Sequence, residues 1–332
     1  MKARSAALQG TLAIVGLTAA YFTWQRPPEK TDGDVVVLDA SRSDLRSLKF
    51  EDDRRVVEVV PEGDTVWIRQ TEKPPPPKPA VAGADAGTTV AAATPPEPTT
   101  DGKAREYKGN ESAEKLMERF APLEAARALG VLSPEKLDEV GLTGSKRQLE
   151  VVTGTGTRRF TLSQATQGVG SPYLRNDADG AVFLAQATLI SDLEFASSRL
   201  VDRRLHTFNL PEFDGLQIRS GDRERRLVKS GDKWAPEDGQ GAPDEFATNW
   251  HDKLWRLTGI EVLARGENPA AGEPKIELRV EYLRGEKPVG FVELAQAGSD
   301  TFARTEHTAG WVRLHGGAAQ ILSEREQVLE KR

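Results

Sequence analysis

There is no cysteine among the 332 residues. That absence excludes disulfides, thiolate metal sites, a cysteine nucleophile and a lipoprotein anchor together, so stability has to come from packed cores. Histidine is scarce too: His206, His251, His307 and His315 are scattered, and none stands at metalloprotease spacing from a glutamate. His307 and His315 are the one pair that a hairpin would bring together. No Walker motif and no nucleophile elbow occur, so any coupling to nucleotide hydrolysis belongs to a partner. An excess of positive charge is missing as well. The formal net charge of -6 argues against a nucleic-acid surface. Gly154-Thr155-Gly156 follows a strand-like run as a phosphate cradle would, but Arg158, Arg159 and Phe160 continue as strand with no helix N-terminus behind them, which predicts a hairpin turn. These absences point away from an enzyme and assign no catalytic residue, cofactor or metal ligand.

What is present begins with an uncharged run from Ser5 to Gln25, filled by Leu8, Leu12, Ile14, Val15, Leu17, Tyr21, Phe22 and Trp24. As a helix, residues 6–24 span ~28 Å, close to the ~30 Å hydrocarbon core of a bilayer. Lys2 and Arg4 precede the run, so the positive-inside bias predicts a cytoplasmic N-terminus at 1–5 and an exported remainder. A cleaved signal peptide is the competing reading, with Thr18 and Ala20 as small residues. The length of the run and the bulk of Tyr21, Phe22 and Trp24 oppose it. Both readings export the chain.

Residues 71–106 change character, with Pro74 to Pro77, Pro79, Pro95, Pro96 and Pro98 around an Ala, Gly and Thr mixture. Few large apolar groups are available there to offset ordering entropy, so a disordered insertion is expected. Around it the chain repeats itself. Asp44-Leu45, Thr65-Val66-Trp67-Ile68, a helix candidate at 112–129, then strand-like runs at 148–153, 159–162, 173–175 and 181–184 make the first set. Asp214 to Ile218, Asp232 to Ala235, a helix candidate at 244–263, then runs at 276–282, 290–294, 302–304 and 310–314 make the second. Trp67 and Trp234 are 167 apart, Gly130 and Gly266 136, and Phe160 and Phe291 131, so the spacing shortens across the proline-rich stretch. That places the insertion inside a first repeat at 34–205, ahead of a second at 206–332.

Alternation in Gln148-Leu149-Glu150-Val151-Val152 and in Lys275-Ile276-Glu277-Leu278-Arg279-Val280 predicts half-buried strands. Leu116, Phe120 and Leu123, and Phe246, Trp250, Leu254, Leu257 and Ile260, recur at helical spacing. The expected fold class is α+β: an N-terminal transmembrane helix followed by two related repeats of antiparallel sheet covered by helices. Trp234, Trp250 and Trp255 read as core rather than as a ligand groove.

The anchor, the strand pair ending in Trp67, Gly141-Leu142, and the hairpin of Tyr173-Leu174-Arg175 with Val182-Phe183-Leu184 resemble the bacterial domain of unknown function family 4340. The resemblance covers most of residues 1–325. It implies a membrane-anchored protein of the bacterial inner membrane, its main body periplasmic, accessory to ABC-transporter membrane subunits of the gliding-motility type. The expected role is a non-enzymatic accessory protein with an exported two-repeat interaction region, without nucleotide or nucleic acid. The alternative is an exported module binding a peptide or glycan in the cleft between repeats.

Overall fold

The computed structural model describes residues 35–74, 102–164, 170–238 and 242–330. In chain order the first part holds β1 (Val35–Leu38), β2 (Leu45–Glu51), β3 (Arg55–Glu62), β4 (Thr65–Glu72), β5 (Arg105–Lys108), α1 (Glu111–Arg119), β6 (Leu123–Ala125), β7 (Arg127–Val131), α2 (Pro134–Glu139), β8 (Gln148–Thr153), β9 (Gly156–Leu162), β10 (Tyr173–Asn176), β11 (Ala181–Leu184), α3 (Ala187–Glu194) and α4 (Ala196–Arg199). The second part holds β12 (Gly215–Ser220), β13 (Arg223–Ser230), β14 (Lys233–Pro236), α5 (Glu245–Trp255), β15 (Gly259–Val262), β16 (Lys275–Arg284), β17 (Lys287–Ala297), β18 (Asp300–Thr305), β19 (Val312–Leu314), α6 (Gly317–Ser323) and α7 (Arg325–Leu329).

The strands form a nine-stranded sheet in the order β5-β4-β3-β2-β8-β9-β10-β11-β7 and an eight-stranded one in the order β14-β13-β12-β16-β17-β18-β19-β15. All the pairings are antiparallel, and β1 pairs with β6 in a separate ribbon. Matched strand for strand, the two orders coincide except for β5, which among the described residues has no counterpart in the second sheet.

This corrects the expected α+β class. Strand makes up 44% and helix 20%, so the fold is mostly antiparallel β rather than sheets covered by helices. The reason is dimensional. Among the described residues the longest helix, α5, has 11 residues and spans ~16 Å, while eight strands extend ~38 Å across. Both helices are shorter than the expected 112–129 and 244–263. Pro122, which has no amide hydrogen to continue the helical ladder, follows closely on α1, and residues 123–131 become β6 and β7. In the second half α5 stops at Trp255 and residues 259–262 form β15. A side chain at Gly259 would put Cβ 2.4 Å from Val312 Cγ1, so only glycine lets this edge strand lie against β19.

Two cores result. One packs Leu48, Phe50, Val57 and Leu149 against Leu116 and Met117 of α1 and Ile190 and Leu193 of α3. The other packs Ile218, Val280 and Leu294 against Trp250 and Leu254 of α5 and Ile321 and Leu322 of α6. A one-residue slip reverses a strand's faces, and two of the sequence equivalences carry such a slip. Phe160 is buried in the first core, whereas Phe291 lies on the charged face of the second sheet beneath Arg279, 4.2 Å from its ring centroid. Trp234 is buried while Trp67 is half-exposed.

The anchor residues Leu8, Leu12, Ile14, Val15, Leu17, Tyr21, Phe22 and Trp24 lie outside the described residues, as does 75–101 of the expected insertion. Among the described residues no helix is long and apolar enough to cross a membrane. The two ends of the 71–106 stretch are ordered strand: it begins within β4 and ends within β5.

Candidate functional site

The strand without a counterpart builds the seam between the sheets. One edge of β5 pairs with β4, from Trp67 opposite Lys108 to Gln70 opposite Arg105. On its other edge the Glu106 carbonyl accepts from the Arg265 amide at 2.8 Å and the Lys108 carbonyl from the Asp202 amide at 2.8 Å. A bare strand edge is a template for unwanted pairing; here the loop after β15 and the chain leaving α4 occupy it. The contact continues through the Gly109 to Val201 bridge and the Asn110 amide, which donates to the Leu200 carbonyl at 2.8 Å. Gly109 is required on its β4 side, where a Cβ would meet the Val66 carbonyl oxygen at 2.8 Å.

Side chains lock the same seam. His307 Nε2 lies 2.8 Å from Asp202 Oδ2, and His307 Nδ1 lies 2.9 Å from Lys108 Nζ. An ammonium group only donates, so Nδ1 accepts and the proton on Nε2 is donated to the carboxylate. Lys108 also donates to the His307 carbonyl at 3.1 Å, and Arg204 donates to both oxygens of Asp202. Burial pushes the Asp202 carboxyl up, but hydrogen bonds from His307 and Arg204 outweigh it and hold the group well below the usual carboxylate range. Burial lowers the Lys108 ammonium, opposed by the Asp202 charge. Both imidazole nitrogens are spent within this chain, and the adjacent void of about 10 Å³ has room for roughly one water. The arrangement joins elements; it does not present a base to a substrate.

Beside the lock lies an open basin of about 350 Å³ lined from both sheets, with Arg69, Lys103, Arg105 and Glu106 on one side and Arg265 and Glu267 on the other. Glu106 accepts from Arg69 Nε at 3.0 Å and from Arg265 Nη1 at 3.3 Å. The hydrogen bond to Glu106 raises the Arg69 guanidinium above its ordinary value. Arg265 stacks over Trp67, 5.1 Å from the ring centroid, and its loop is fixed by Glu267 accepting from the Ala264 amide at 2.9 Å.

The residues singled out in the sequence fall elsewhere. His307 binds Lys108 and Asp202, while His315 is exposed; among the described residues no group of three or more His, Cys, Asp or Glu is placed to hold a metal ion. Gly154-Thr155-Gly156 spans the turn between β8 and β9. Trp234 and Trp250 are buried, and Trp255 packs against the same core with His206 parallel to it at 5.1 Å between centroids. Sequence reasoning missed Glu106, Lys108, Asp202, Arg204 and Arg265, which are ordinary charged residues up to 199 positions from their partners. No family model, curated protein or solved structure matches the chain.

Proposed function

We propose that the chain is a non-enzymatic accessory protein, held at the bacterial inner membrane by residues 6–24, with its two sheets presented on the periplasmic side beside an ABC-type transporter. The observation that carries this reading is the seam. Two sheets of matching strand order are fastened through both the backbone and the side chains of β5, which supports a body built to present surfaces in a fixed relation. The uncharged run from Ser5 to Gln25 supports the tether, and the resemblance to family 4340 supports the transporter as neighbour. Cross-linking in intact cells followed by mild solubilisation tests it: a transporter membrane subunit recovered with the chain is expected, and recovery of the chain alone would contradict the proposal.

The basin favours a second reading, a module binding a small ligand between the sheets. It is concave, is lined from both sides, and falls within the size range of small-ligand sites.

A further inference from the structure

We propose that the basin between the sheets binds an oxyanion, a carboxylate or phosphate group on a small polar ligand. The inference rests on the second reading above and names its ligand class.

Charge makes the first argument. Arg69, Lys103, Arg105 and Arg265 line the basin with two carboxylates, Glu106 and Glu267, in a chain of net charge -6. Glu58 and Glu62 also pair with Arg69 from outside the lining, so the charge is close to balanced, and what sets the basin apart in this acidic chain is four cationic side chains gathered around one concavity. Donor accounting makes the second. Glu106 gives one oxygen to Arg69 and the other to Arg265, and Glu267 accepts from a backbone amide. A guanidinium has five N–H donors in a planar fork. Arg265 spends one on Glu106 at 3.3 Å, while Arg105 reaches Glu267 as a 3.7 Å ion pair and also engages the Tyr107 hydroxyl, which leaves part of its fork open. These two side chains come from opposite walls, are 58% and 47% exposed, and keep donors for a ligand. Pre-organisation is the third argument. Trp67 supports the Arg265 guanidinium from below, and Arg69 is held by Glu106 and Glu62. Forks fixed in this way match the two-oxygen edge of a carboxylate or phosphate.

The test uses the full chain in mild detergent, titrated calorimetrically with inorganic phosphate, with acetate and with maltose as an uncharged probe. Ala104 lines the basin and is exposed just ahead of β5, so Ala104→Glu adds a carboxylate without removing any seam contact. Arg105→Gln removes one fork. Saturable binding of phosphate or acetate, weakened about tenfold or more in both variants and unchanged in Arg223→Gln, whose side chain pairs with Glu326, is the expected result. Anion binding that both variants retain would overturn the inference. Maltose binding lost in Ala104→Glu, with no anion binding, would overturn the oxyanion while leaving the cleft reading in place. Binding of none of the three probes would overturn both.

Discussion

Two polar atoms in the second core, His251 Nε2 and Tyr282 Oη, have no hydrogen-bond partner among the described residues. Burial, with smaller contributions from Lys229 and His206, pushes the His251 imidazole from about 6.5 down to about 3. The unfolded chain therefore takes up this proton near pH 6.5 and the folded chain only near pH 3. Between those values the unfolded state binds more protons, so stability is full above pH 6.5 and falls as the pH drops. Urea unfolding is expected to show a loss of about 2 kcal/mol between pH 7 and pH 5 from this residue, and His251→Phe flattens that slope. An unaltered slope in the variant would contradict the assignment. At Gly310 an added Cβ would lie 2.6 Å and 2.7 Å from the carbonyl oxygens of Ala264 and Leu263, which are backbone and cannot swing aside. Gly310→Ala is expected to cost about 1–3 kcal/mol. Gly316→Ala, with open space around it and helical backbone, stays within about 0.5 kcal/mol. Thermal melts of the pair separate the two outcomes.

Helix α5 shows how much an element depends on a residue outside it. Asp244 caps the helix by accepting from the Ala247 amide at 2.9 Å and also pairs with Arg225 of β13 at 2.8 Å. Arg225 is nearly buried and otherwise donates to the Val328 carbonyl at 2.6 Å. Asp244→Ala removes a cap and leaves a buried guanidinium short of its counter-charge, an expected loss of about 3 kcal/mol in denaturant unfolding. Asp244→Asn keeps the cap acceptor and costs less. The start of the helix was legible in the sequence, where the candidate begins at Asp244, but its role as a cap was not. The strand β8 was legible as well, since Leu149 and Val151 alternate with Gln148 and Glu150. What period alone did not reveal was where a helix gives way to strand: Leu123 continues the spacing of Leu116 and Phe120 yet belongs to β6, because Pro122 intervenes. Likewise β5 is four residues long with two charged neighbours in Arg105 and Glu106, too short for alternation to announce it.

At the scale of the whole molecule, the seam decides whether the sheets move as one. Glu106, Lys108, Asp202 and Arg265 left no trace in the sequence because each takes its meaning from a partner on another element, as Lys108 does from His307 and Glu106 from Arg265. His307→Ala removes the group that links Lys108 to Asp202 and is expected to cost about 2 kcal/mol. Amide exchange should accelerate in peptides covering 105–110 and 200–206, while those of β8 and β16 keep their protection. Equal acceleration everywhere would mean that the lock serves the cores rather than the seam. The role proposed for the fastened pair of sheets depends above all on which side of the membrane they stand. The most direct measurement expresses the full chain with a C-terminal tag in bacterial cells and adds protease to spheroplasts, alongside alkali washing of the membranes. A full-length product that resists alkali extraction, with its tag digested from outside, is the predicted result; a tag that protease reaches only after lysis would contradict the account.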